Sequence, residues 1–409
     1  MKNGLRVITE RIPSVRSISL GVWADVGSRN ESKAENGLSH LIEHMVFKGT
    51  KNRTAKEIAS SLESIGGSLN AFTSKEQTCF TARILDEHLD IGVDVLADLA
   101  CHARFTPHNL AREKQVVYEE IKESKDTPSD YIHDIFAEAY WGDHPLGRPI
   151  LGEVETLAPV RRSAIMGYLH KNYRAGSVVI AAAGSVSHDK LVRLVKEKFD
   201  FPNGSAQAYE TAKRSTDRTV VAQPDDNQQI HICLGFPSVK YDAREKMAVL
   251  ALQSYLGGGM SSVLFQKIRE EKGLAYTVYT FNEFYRDAGQ FGAYMSADKK
   301  NLAACIQITL KELTRTTRKR LDTKQLDQIK AQLKGQLTLG MESTYSRMNR
   351  LARQELMLGS YIPVRKSLRE IDRVTPQQVL EQANKTFDNS QIAIAVLGIE
   401  DKSAIENAL

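Results

Sequence analysis

The sequence predicts an α+β protein in which one fold occurs twice, each copy a mainly antiparallel sheet covered by helices. Three features carry this prediction. β-rich runs with a return partner alternate with amphipathic helical stretches. Runs in the second half echo runs in the first: IHICLGF (230–236) echoes SISLGVW (17–23), LDTKQLDQIKAQLKGQL (321–337) echoes FTPHNLAREKQVVYEEI (105–121), and QIAIAVLG (391–398) echoes SVVIAAAG (177–184). Between the halves, 201–229 is polar, holds Pro202, Gly204, Ser205 and Pro224, and has little periodicity outside Thr219–Ala222. A repeat this long means a duplicated domain of about 200 residues. The expected division is 1–205 and 229–409, with 206–228 as the linker.

In chain order, Leu5–Thr9 and Ser17–Val26 read as a hairpin that turns through Pro13. Gly37–Thr50, GLSHLIEHMVFKGT, supplies Leu38, Leu41, Ile42, Met45, Val46 and Phe47 to a buried helix. Thr54–Ile65 is a second amphipathic helix, with Thr54 as N-cap and Gly66-Gly67 as its stop. Ser68–Thr73 is a short strand after that stop, and Thr78–Ile84 is its return. Helices are expected at 86–104, 108–124, 129–141 and 156–172, with a Pro- and Gly-rich loop at Gly142–Gly152. Ser177–Ala183, seven apolar or small residues, reads as a central strand.

Composition narrows the function classes. The 409 residues suffice for two or three domains with their own cores, and 42% hydrophobic with 26% charged residues is ordinary for a soluble globular chain. A net charge of +5 is too small and dispersed to argue for nucleic acid. Cys79, Cys101, Cys233 and Cys305 lie far apart without C-x-x-C spacing, and read as core residues in a reducing compartment. No apolar run reaches the roughly 18 residues of a membrane span, and MKNGLRVITERIPS has no apolar signal core. A cytoplasmic protein, with neither membrane nor nucleic-acid partner, is the expectation.

The chemistry is carried by His40, Glu43 and His44, an H-x-x-E-H motif on the first helix. His40 and His44 are one turn apart, so both imidazoles can leave one face and take two corners of a tetrahedral zinc site. Glu43 borders that face and can reach a metal-bound water without being a ligand. This is the inverzincin order of the commoner H-E-x-x-H. A catalytic zinc wants a third protein ligand. The helix 108–124 is the best donor, since it offers Glu113, Glu119, Glu120 and Glu123; Glu113 and Glu120, two turns apart, share a face. Spacing alone also fits a solvated acidic face. In the echo, Gln336 stands in the place of Glu120, and no histidine follows His231, so the second half cannot rebuild the site.

Taken together, GLSHLIEHMVFKGT, IGGSLNAFTSKEQT (65–78), REKQVVYEEI (112–121), HPLGRPILG (144–152) and LFQKIREEKGLAYTV (264–278) resemble the M16 (pitrilysin/insulinase) zinc metallopeptidase family. The resemblance runs over nearly the whole chain. It is strongest to the β-subunit type of mitochondrial processing peptidase and its single-chain bacterial relatives. It implies the duplicated M16/LuxS-like metallohydrolase fold and one Zn2+ per chain held by His40, His44 and Glu120. Glu120 lies 76 positions after His44, where the family has its third ligand. Glu113 matches an outer-shell glutamate.

The implied activity is that of a metalloendopeptidase on peptides or unfolded polypeptide. Zinc would bring its water towards a pKa of about 7, and Glu43 would act as general base. Arg269 and Tyr276 match an arginine–tyrosine pair that reaches the substrate or its oxyanion. Asn70, Ala71 and Phe72 match a strand that grips substrate by main-chain hydrogen bonds. Asp130 and Asp134 match acidic positions that favour an arginine in the substrate. Family members work in a chamber of four such domains, which implies a homodimer here. The alternative is a catalytically inactive scaffold or partner subunit of the same family, against which the complete motif speaks.

Overall fold

The computed structural model describes residues 1–214 and 217–409. They pack as two units. The first comprises Met1–Glu123, Arg148–Glu210 and Gly340–Tyr361; the second comprises Ser124–Gly147, Thr211–Leu339 and Ile362–Leu409.

In the first unit, β1 (Arg6–Arg11), β2 (Ser17–Ala24), β3 (Ser68–Thr73), β4 (Thr78–Leu85) and β5 (Val178–Gly184) form one sheet in the order β1-β5-β2-β4-β3. The expected hairpin of β1 and β2 is not formed. β5 lies between them, parallel to β1 and antiparallel to β2. The reason is apolarity: all seven residues of β5 are buried, and such a strand needs neighbours on both sides. β3 pairs only with β4 and is therefore an edge strand.

One sheet face carries α1 (Leu38–Val46), α2 (Ala55–Glu63), α3 (Leu89–His102) and α4 (Pro107–Lys125). Val178, Ile180 and Ala182 of β5 join Leu41, Ile42, Leu96, Val117 and others in that core. Val179, Ala181 and Ala183 alternate to the opposite face, where they meet Met348, Leu351, Ala352 and Leu356. Those four belong to the helix Thr344–Leu358, drawn from the second half of the chain.

The second unit repeats the plan. β6 (Thr219–Gln223), β7 (Gln229–Ser238), β8 (Ala275–Phe284), β9 (Gly289–Asp298) and β10 (Ala393–Leu397) are ordered β6-β10-β7-β9-β8. The outer face of this sheet is covered by α5 (Pro128–Trp141), which comes from the first half: Ile132, Ile135, Phe136 and Tyr140 pack on Cys233, Ala393 and Ala395. The two halves thus trade a helix. The crossing is close, since a Cβ added to Gly235 would lie 2.3 Å from Phe136 Cζ.

The packing units accordingly do not follow the contiguous division 1–205 and 229–409, because hydrophobic faces on α5 and on Thr344–Leu358 find the other half's sheet. Two described parts of the expected linker 206–228 are packed. The Arg29 guanidinium sits 4.1 Å over the Tyr209 ring and donates to the Glu210 carbonyl at 2.9 Å, and β6 pairs in parallel with β10. The expected helix 156–172 is broken into Val154–Leu157 and Arg162–Asn172. Among the described residues no helix is long and apolar enough to cross a membrane.

Candidate metal centre

The site is assembled on α1. Leu38, Leu41, Ile42, Met45 and Val46 are buried on one side of this helix, which leaves His40, Glu43 and His44 together on the other. The helix begins at Gly37, whose φ of +91° and whose approach to the Leu151 carbonyl (2.6 Å from an added Cβ) demand glycine. Its first backbone N–H groups are met by a buried carboxylate. Glu31 accepts from Gly37 N at 2.8 Å, from Ser39 N at 2.6 Å and from Asn36 Nδ2 at 3.3 Å. Burial raises the Glu31 carboxyl to about 7, and the Ser39 and Gly37 hydrogen bonds pull it back only partly.

The imidazole rings of His40 and His44 stand 4.6 Å apart, centre to centre. Glu120, on α4, brings Oε2 to 3.3 Å from His44 Nε2 and 3.7 Å from His40 Nε2. Ligand atoms of the three residues all lie within 4.8 Å of one another. Among the described residues, no other such group of three His, Cys, Asp or Glu occurs. In a tetrahedral site with metal–ligand bonds near 2.0–2.1 Å, ligand atoms are about 3.3 Å apart. The two nitrogen–oxygen distances fit that spacing, and two imidazoles with one carboxylate is a donor set for zinc. Burial, then the neighbouring His44, lowers His40 to about 4. It is therefore a neutral imidazole at pH 7, the form that binds metal.

Two further glutamates border the group. Glu43 Oε2 accepts from Thr73 Oγ1, at the end of β3, at 2.6 Å. Burial pushes the Glu43 carboxyl above its ordinary value, and the Thr73 hydrogen bond opposes the shift. Glu113 Oε2 lies 3.6 Å from His44 Nδ1 and 3.0 Å from Lys48 Nζ. On β3, Asn70 is exposed, Phe72 packs edge-on against Trp23 at 5.3 Å, and the Ala71 N–H is bonded by the Asn70 side chain at 2.8 Å.

The structure thus brings His40, Glu43, His44, Glu113 and Glu120 together in the first unit, with Asn70, Ala71 and Phe72 on its edge strand. Arg269, Tyr276, Asp130 and Asp134 belong to the second unit. There the Arg269 guanidinium stacks 5.0 Å from the Tyr276 ring and 4.7 Å from that of Phe265, and Tyr276 is 70% exposed. Asp130 and Asp134 are one turn apart on α5. Sequence reasoning missed Glu31, Lys48 and Thr73. Thr73 had a signal, as the last residue of a strand already singled out. Glu31 had none, because an acid six residues before Gly37 matches no local capping pattern.

Comparison with known proteins gives consistent matches. Residues 6–154 match the family model described as insulinase (peptidase family M16), and 159–333 match the model of the peptidase M16 inactive domain. An uncharacterised zinc protease of Bacillus subtilis, YmxG, is 39% identical over 94% of this chain and 94% of its own length. One from Rickettsia felis is 35% identical over 98% and 97%. Among solved structures, a protease from Helicobacter pylori superposes with a TM-score of 0.90 at 22% identity, over 97% of this chain and 98% of that one. A Pseudomonas fluorescens structure, titled as a peptidase M16 inactive domain, also scores 0.90, at 20% identity over 98% and 97%.

Proposed function

The chain belongs to peptidase family M16, and from that premise we propose that it is a zinc-dependent metalloendopeptidase cleaving peptides or extended precursor segments. The observation that carries this reading is the convergence of His40 Nε2, His44 Nε2 and Glu120 Oε2 beside the half-buried carboxylate of Glu43. His40, His44 and Glu120 would hold the metal. Zinc supplies Lewis acidity there, both to a peptide carbonyl and to a water.

The remaining work falls to this chain's own groups. Thr73 bonds Glu43 Oε2 and orients the carboxylate, which takes a proton from the attacking water and returns it to the leaving amine. The raised pKa of Glu43 suits a group that must hold this proton between the two transfers. Substrate is read as an added strand along the open side of β3, next to Asn70, Ala71 and Phe72. Arg269 and Tyr276 are assigned as donors to the substrate or its oxyanion, and Asp130 and Asp134 as the preference for arginine; both assignments rest on the family resemblance. A cytoplasmic homodimer completes the reading, consistent with four free cysteines.

The test is zinc content together with peptide cleavage by wild type and Glu43→Gln. One zinc per chain in both proteins, with cleavage abolished by the substitution, is the expected result. Zinc-free, inactive wild-type protein would leave the scaffold alternative standing.

A further inference from the structure

Lys48 follows α1 by two residues and touches α4 in two ways. Its backbone carbonyl accepts from Asn109 Nδ2 at 2.7 Å. Its ammonium lies 3.0 Å from Glu113 Oε2, the same oxygen that lies 3.6 Å from His44 Nδ1. Asn109 and Glu113 are one turn apart on α4, and Glu120 follows two turns later, so the three share a face. Lys48 therefore ties the end of α1 to the face of α4 that carries Glu120.

The charges point the same way. The Glu113 side chain is only 8% exposed, and a carboxylate so placed is costly without a cation beside it. The Lys48 ammonium is that cation. Glu113 Oε2 faces the Nδ1 side of His44 at 3.6 Å, so a Glu113 kept in place by Lys48 bounds the ring on that side and leaves Nε2 towards Glu120.

We propose that Lys48 is a positioning residue for the metal centre, acting through Glu113 on His44 and through the seating of α4 on Glu120. The inference rests on the zinc reading above. It is tested by zinc affinity, measured by competition with a chromophoric chelator, in wild type, Lys48→Met, Glu113→Gln and the double variant. The visible spectrum of the cobalt-substituted proteins reports ligand geometry in parallel.

Lys48→Met is expected to weaken zinc binding about tenfold and to shift the cobalt spectrum. In the Glu113→Gln background it should weaken binding by clearly less than that factor, because the partner is already gone. Lys48→Arg, which keeps a cation, should recover most of the loss. Wild-type affinity and spectrum in Lys48→Met would overturn the proposal, as would full multiplication of the two losses. Early melting of metal-free Lys48→Met with unchanged zinc affinity would mark a merely structural role and count against it. Wild-type protein that takes up no zinc sinks the metal reading itself, a different outcome from zinc-loaded wild type with an indifferent Lys48.

Discussion

Thr73 donates its hydroxyl proton to Glu43 across 2.6 Å, so the last residue of the edge strand is bonded to the acid of the metal helix. A strand that receives substrate on one side would thus be anchored at its end to Glu43, the proposed proton acceptor. Thr73→Val should lower kcat about tenfold while KM stays within a factor of about two, with Thr73→Ser close to wild type. Steady-state kinetics on a quenched peptide checks this. A change in KM alone would mean that the hydroxyl serves binding and not the base.

The Ala71 N–H is bonded by its neighbour's side chain and not by β4, which marks it as facing the open edge. Ala71→Pro removes that donor without breaking the ladder to β4. The expected outcome is a KM raised about tenfold with urea stability changed by less than about 1 kcal/mol. Loss of several kcal/mol would show that this N–H serves the sheet.

Glu31 offers a pH signature. Its carboxyl titrates near 7 in the folded chain and near 4.5 when unfolded. Between those values the unfolded chain has released a proton that the folded one still holds, so this group's contribution to stability falls as pH rises from about 4.5 to about 7, and is level above. In Glu31→Gln that slope is absent. The difference in unfolding free energy between wild type and variant should therefore move against wild type by roughly 3 kcal/mol over that window. Urea titrations at four pH values measure it. A difference that stays flat, or grows in wild type's favour, would mean that the ionised form is held at neutral pH by the α1 N–H groups.

Gly235 lies under α5 with no room for a side chain, 2.3 Å separating an added Cβ from Phe136 Cζ. Gly235→Ala should destabilise the second unit by about 1–3 kcal/mol. Adding Phe136→Leu should cost less in the Gly235→Ala background than in wild type, since the ring and the new methyl compete for one space. Thermal melting of the four proteins forms the cycle.

The legible parts of this molecule are the local ones. H-x-x-E-H and its flanking apolar residues lie on one short helix, so spacing alone places His40, Glu43 and His44 on one face. Glu120 is 76 residues beyond His44, and helical spacing set Glu113 and Glu120 on one face among four glutamates without choosing between them. Only the resemblance singled it out. The order of the first sheet escaped for the same reason. β5 enters between β1 and β2 from more than 150 residues away, and two neighbouring strands in sequence looked like a hairpin. A helix was likewise expected at 129–141, but local pattern does not say which sheet it packs on.

The traded helices bear on how such a chain can be taken apart. A gene cut at its midpoint would yield two products, each carrying a helix with no sheet beneath it and a sheet face with Trp23 and Cys79, or Cys233 and Tyr294, open to water. Neither product would hold both members of a helix–sheet pair. Produced together they would have complementary vacancies to fill, as the members of a domain-swapped dimer do.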